Sequence, residues 1–203
     1  MDHNRLSEVE FLSDEEIDQD IHNFLERYGQ RQDVYVFAYA SLMWSPCFSP
    51  DEKFIGRIQG FSRSLSLSSI IYRGTVDNPG IVMALEKGGN CEGVLYKLSN
   101  ETLMDDLRKL WEREMKSSAY YPRVVNVYYP KQVIALTFVA DEEHRQFCGN
   151  LDERRKAEII KSASGEMGSN LEYFEKTWAE MRRLGIQDAD LLSFKVKYFS
   201  QKN

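Results

Sequence analysis

Val36-Phe37-Ala38-Tyr39-Ala40-Ser41-Leu42-Met43-Trp44 begins as an apolar β-type run, breaks into small residues around a single Tyr, and resumes with a Trp. Small side chains let a backbone turn sharply and let another molecule approach its N–H groups. On spacing alone the stretch is either a ligand loop or an ordinary strand end. In both cases it opens a strand-rich block. Residues 34–37 read as a short strand, and residues 54–67 alternate enough for a long strand or a strand pair, with Gly56 and Gly60 marking bends. Asn78-Pro79-Gly80 and Gly88-Gly89-Asn90 read as turns, bounding strands over 81–85 and 93–98. Residues 124–129 and 133–139 form a hairpin across Pro130-Lys131-Gln132.

Upstream, Ser13 with Glu16 three residues on is a capping box. Ile17, Ile21, Phe24 and Leu25 follow at helical spacing and Gly29 ends the pattern, which predicts an amphipathic helix over 14–28 behind a flexible lead, residues 1–12. Downstream, helices are expected over 151–163, 169–184 and 188–199. Strands thus dominate 34–140 and helices the rest, which is an α+β chain with a mixed or barrel-like sheet. The division is residues 1–30, lead and helix, and residues 31–203, the main domain.

The chain's 203 residues suit one domain with a substantial core. A formal net charge of -6 and no basic stripe argue against a nucleic-acid partner. No apolar run reaches membrane-spanning length, so no membrane partner is expected. Cys47, Cys91 and Cys148 are odd in number and widely spaced. They make no disulfide framework, and with no signal peptide a cytoplasmic location is the simpler expectation. His3, His22 and His144 fall in no metal spacing, so no metal site is assigned.

Asn100 is placed to cap a helix running to about Glu114. Leu103, Leu107 and Leu110 lie on one face of it, and Glu114 is the next member of that series. A carboxylate there is either buried, with a raised pKa that poises it as a general base or acid, or paired with an Arg or turned to water at the helix end. Glu112 falls on the opposite, solvated face.

Several segments occur together in a known order: the opening loop, Ser69-Ile70-Ile71-Tyr72-Arg73-Gly74-Thr75, Asn78-Pro79-Gly80, Cys91-Glu92-Gly93-Val94, Arg113-Glu114, Gly165-Glu166-Met167-Gly168 and Asn170-Leu171-Glu172-Tyr173. In that order, over about residues 34–192, the chain resembles the ChaC-like γ-glutamylcyclotransferases. The resemblance implies an α+β fold built as a small mixed β-barrel flanked by helices, here with an added N-terminal helix. It implies cleavage of glutathione to 5-oxoproline and cysteinylglycine with no cofactor, and a small γ-glutamyl compound as the binding partner. The family's substrate loop reads Tyr-Gly-Ser-Leu and its catalytic glutamate follows an Arg. Tyr39, Ala40, Ser41 and Leu42 match the loop and Glu114 the glutamate.

Ala38 and Ala40 stand where the family pattern has glycine. An Ala at a position needing positive φ would be strained, and either methyl group could intrude on substrate. The resemblance makes the N–H groups of residues 40–42 and the Tyr39 hydroxyl candidate donors to substrate. Arg73 meets a substrate carboxylate or belongs to a structural ion pair. Tyr173, off the Leu171, Phe174, Trp178, Met181 stripe, reaches the pocket or is a partly exposed structural residue. Ser41 is not expected to be a nucleophile, since lactam closure needs none. The altered loop leaves two other readings open: the same chemistry on another γ-glutamyl amide, or a non-catalytic binding protein of the same fold.

Overall fold

The expected capping box forms in the computed structural model, which describes Leu6, residues 11–28 and residues 33–200. Ser13 N–H donates to Glu16 Oε2 (2.8 Å) and Glu16 N–H to Ser13 Oγ (3.3 Å). The helix behind it, α1 (Asp14–Tyr28), turns Ile17, Ile21, Phe24 and Tyr28 inward. Most of the expected flexible lead, and the Gly29 stop, lie outside the described residues.

Five strands close into a barrel in the order β1 (Tyr35–Ala38), β3 (Gly80–Leu98), β2 (Pro50–Ser69), β4 (Tyr120–Tyr128), β5 (Gln132–Ala140). Neighbours are antiparallel except β1 and β5, which meet in parallel at Val36 and Leu136, so the sheet is mixed. Closure removes the sheet edges and leaves one interior to fill. Phe37, Leu95, Leu107, Trp111, Phe138 and Phe174 are almost wholly buried.

Two expectations are corrected. Gly88-Gly89-Asn90 is not a turn between strands. β3 runs unbroken from Gly80 to Leu98 beside β2. Gly88 (φ 104) and Gly89 (φ 70), with Gly60 (φ 84) across the ladder, bend the ribbon where its register shifts between Gln59 and Phe61. The positive-φ residues that signal a chain reversal here supply a bulge in a coiled pair of strands. Second, Asn100 is not the cap of α2 (Leu103–Glu114). The helix starts after Thr102, whose Oγ1 donates to Asp106 Oδ2 (2.8 Å), and residues 100–102 form a turn before it.

The C-terminal third folds as α3 (Glu153–Ser162), a two-stranded ribbon of β6 (Ser164–Gly165) and β7 (Gly168–Ser169), α4 (Asn170–Leu184) and α5 (Ala189–Phe199). Asp152, Ser169 and Asp188 cap the three helices by accepting from backbone N–H groups, and Gly185 closes α4 in the left-handed conformation. Among the described residues, no helix is long and apolar enough to cross a membrane.

β1, β2 and β3 approach closely at Gly93. Gly93 pairs with Gly56, and a Cβ on Gly93 would lie 2.3 Å from the Ala38 carbonyl oxygen and 2.8 Å from the Phe37 ring. Since backbone cannot step aside as a side chain can, Gly93→Ala is expected to destabilise by on the order of 3 kcal/mol. Ile55→Ala, on the same ladder at an exposed position, should cost far less. Urea unfolding midpoints of the two variants check this.

Candidate active site

The cavity opens where the end of β1, the C-terminal end of α2 and the start of α4 meet over the barrel. It encloses about 300 Å³. Tyr39, Ala40, Ser41, Leu42, Arg73, Glu114 and Tyr173, the residues singled out in the sequence, all line it. They come from four separated segments, and barrel closure brings them together.

Glu114 is the last residue of α2, and 13% of its side chain is exposed. Leu107, Leu110 and Trp111 of the same helix are fully buried, so the apolar stripe does carry the carboxylate inward. It is also paired: Arg113 Nε lies 3.4 Å from Glu114 Oε1. Burial and pairing, alternatives in the sequence, coexist. Burial raises the carboxyl pKa and the Arg113 charge lowers it, and burial prevails. Glu112 is exposed and pairs with Arg108 (3.2 Å).

Arg113 does more than offset charge. Its Nη2 donates to Ser41 Oγ (3.0 Å) and its Nη1 to the Ser45 carbonyl. One guanidinium therefore binds the substrate-loop candidate to the helix that carries Glu114. The loop folds as a 3-10 turn over Ser41–Met43. Its internal bonding begins at Met43 N–H, which donates to Ala40 O (2.9 Å). The N–H groups of Ser41 and Leu42 lie ahead of that first bond, as at any helix start.

The two alanines differ in their settings. Ala38 belongs to β1 and pairs with Val94, whereas Ala40 lines the cavity. Among the described non-glycine residues only Ser118 has positive φ, and Ala40 sits at φ -140. Neither alanine occupies a left-handed position, so the steric objection reduces to the Ala40 methyl group.

The Tyr39 hydroxyl, a candidate substrate donor, has a partner within the protein. It is buried and donates to the Phe138 carbonyl (2.9 Å). Tyr39 lines the cavity, and this bond ties the loop to β5. Arg73 is also buried, and its Nη1 meets Glu172 Oε2 (3.1 Å) and Ser169 O (3.3 Å). The structural ion pair exists, yet the residue lines the cavity as well, with its guanidinium about 6.0 Å from the Trp44 ring and 5.9 Å from the Tyr173 ring.

Tyr173 is buried rather than partly exposed. Its hydroxyl accepts from Met83 N–H (3.0 Å), which leaves the phenolic proton for another acceptor. One turn earlier Asn170 bonds both Ile81 N–H (2.7 Å) and Ile81 O (2.8 Å). Residues three apart on α4 thus match residues two apart on β3, because one helical turn and two strand residues span similar lengths.

Tyr120 was not anticipated. It lies at the start of β4, four residues ahead of the expected strand start, and lines the cavity. Tyr39, Tyr120 and Tyr173 all titrate high, first because of burial and then through neighbours that include the Glu114 charge; Tyr173 is pushed up to about 12. Burial likewise pushes the thiols of Cys47, Cys91 and Cys148 up to about 11. None is a thiolate at neutral pH, and among the described residues that line the cavity Glu114 is the one carboxylate. Among the described residues no group of three or more His, Cys, Asp or Glu is placed to hold a metal.

The sequence model of the ChaC-like protein family matches residues 34–200. A glutathione-specific gamma-glutamylcyclotransferase of Escherichia coli is 35% identical over 160 residues, covering 78% of this chain and 69% of that protein. Its human counterpart, glutathione-specific gamma-glutamylcyclotransferase 1, is 31% identical over 168 residues, covering 80% and 76%. A solved yeast gamma-glutamyl cyclotransferase specific to glutathione superposes with a TM-score of 0.73 at 20% identity, covering 83% of this chain and 97% of that one. At that identity the likeness speaks for the fold.

Because the Glu114 pKa is raised above its ordinary 4.5, the folded state favours the protonated form. That preference supports folding fully below about pH 4.5 and is lost as pH rises through the folded value, where the buried carboxylate costs stability. Glu114→Gln removes the cost. Its Tm is expected to exceed wild type by a few degrees at pH 7.5 and to converge with it at pH 4, as read by circular dichroism melts.

Proposed function

The chain belongs to the ChaC-like family, and from that premise we propose that it is a γ-glutamylcyclotransferase that converts glutathione to 5-oxoproline and cysteinylglycine. The observation that carries the reading is the largely buried carboxylate of Glu114, the one carboxylate among the described residues that line the cavity.

The reaction is intramolecular. The α-amine of the γ-glutamyl group attacks its own γ-carbonyl carbon, a five-membered lactam closes, and the amide C–N bond breaks. The first requirement is a folded substrate conformer, and fixing one removes much of the entropic barrier. The amine arrives mostly protonated. It loses one proton to water to become the attacking free amine; Glu114 then takes a second proton from that nitrogen as the ring closes and passes it to the departing nitrogen, so the carboxylate is regenerated. Help of this kind is typically worth about 10²–10⁴ in rate.

The N–H groups of Ser41 and Leu42 are the donors best placed for the oxygen that gains charge during attack or for the α-carboxylate. Tyr173 adds a phenolic proton on the same wall. Arg73 provides positive charge for a substrate carboxylate, using guanidinium nitrogens other than the Nη1 paired with Glu172. The Ala40 methyl group supports a second reading, in which the cavity is trimmed for another γ-glutamyl amide.

Release of 5-oxoproline from glutathione and from a panel of γ-glutamyl dipeptides tests the proposal, and no 5-oxoproline from any of them would sink it. Glu114→Gln should lower kcat by about 10²-fold or more, while Glu112→Gln stays near wild type. The wild-type rate should fall on the acid side as Glu114 protonates, with its midpoint above 4.5.

The alanines make a separate expectation. Ala40→Gly should lower KM for glutathione, or raise kcat/KM, because it relieves the one methyl group that faces the cavity. Ala38→Gly should leave both constants alone. Equal effects at the two positions would show that the cavity-facing assignment of Ala40 is wrong.

A further inference from the structure

Helix α1 precedes residues 34–200, the stretch that matches the family. We infer that this added helix is nevertheless part of the substrate site: it fixes Phe11 at the cavity mouth, where the ring contacts the leaving half of a γ-glutamyl dipeptide. The inference rests on the cyclotransferase reading above.

Phe11 lines the same cavity as Glu114, together with Lys116 and Ser117. Its position is not left to a loose chain end. Leu12 N–H donates to the Lys116 carbonyl (3.0 Å), two residues beyond Glu114, and the Ser13–Glu16 cap starts α1 immediately afterwards. α1 then docks on α2. The rings of Phe24 and Trp111 meet at 5.4 Å, and Arg108 of α2 reaches Asp14 (3.5 Å) and Asp18 of α1. The helix that ends in Glu114 is therefore the helix that locates Phe11.

The cavity has two unlike ends. Tyr39, Arg73 and Tyr173 are buried, whereas Phe11 is 48% exposed, Met167 is 54% exposed, and Lys116 is exposed. The γ-glutamyl group must reach Glu114 and the Ser41–Leu42 N–H groups, so it occupies the buried end. What hangs from its amide nitrogen then extends to the mouth. A half-exposed Phe is an unsatisfied apolar surface that gains by covering a side chain, a thiol especially. Lys116, which also lines the cavity, carries a charge that suits a terminal carboxylate. The mouth thus matches a dipeptide with a small apolar or thiol side chain and a free carboxylate better than a simple amine.

The test compares wild type, Phe11→Ala and Phe11→Leu on glutathione and on γ-glutamylmethylamide, which has the same γ-glutamyl group but only methylamine to lose. Phe11→Ala should raise KM for glutathione about three- to tenfold and change kcat by less than about twofold, with both constants for the methylamide unchanged. Phe11→Leu should recover most of the loss. No change with glutathione, or an equal change with both substrates, would overturn the inference. If wild type releases 5-oxoproline from neither substrate, the reaction assignment fails, and calorimetry of glutathione binding decides the inference by itself. Weaker binding by Phe11→Ala then supports it; equal binding, or no binding by wild type, overturns it.

Discussion

Removing one carboxylate from water is the constraint around which the rest of this molecule is arranged. Glu114 sits at the C-terminal end of a helix, where the aligned peptide dipoles present partial negative charge, so both burial and the dipole oppose its ionisation. The residue before it supplies the counterweight. Arg113 lies against the carboxylate and also grips the Ser41 hydroxyl and the Ser45 carbonyl, so charge balance and loop placement are settled by the same side chain. Burial favours the neutral acid and the Arg113 charge favours the carboxylate, and burial is the larger of the two.

The barrel makes that arrangement reproducible. The loop leaves β1, Arg73 follows the end of β2, Tyr120 begins β4 and Tyr173 comes from α4, so no local run of sequence contains the site. Its parts are held by bonds to strands and helices as well as to one another. Tyr39 is tied to β5 through Phe138, Tyr173 and Asn170 to β3, and Trp44 Nε1 to Thr177 of α4 (3.0 Å). Groups anchored to a closed sheet have little room to drift, and a reaction that depends on holding one substrate conformer gains from such rigidity.

What could be read in the sequence follows from the range of the interactions involved. The leucine stripe put Glu114 on an inward face because helical periodicity is local, and the capping box at Ser13 was legible for the same reason. The Gly88-Gly89 reading failed because glycine announces positive φ without saying whether the chain reverses or merely coils; the partner strand, with Gly60 opposite, decides that. The phenolic proton of Tyr39 could not be assigned from sequence, since its acceptor is 99 residues away. Tyr120 was hidden by a strand boundary, and Phe11 by the polar run around it, which reads as a lead rather than a wall.

The titration pattern of the cavity points in one direction. A cyclisation of this type needs a group that accepts a proton from an amine and returns one to a nitrogen, at the same place and in the same turnover. Two groups with separated pKa values would divide those tasks, as paired carboxylates do elsewhere. Here the phenols are driven up by burial, and Glu114, whose pKa burial also raises, is the one carboxyl among the described residues that line the cavity. Burial raises the pKa of that carboxyl and the adjacent Arg113 charge opposes the rise, which is why Arg113 and Glu114 act as a unit although only one of them exchanges the proton.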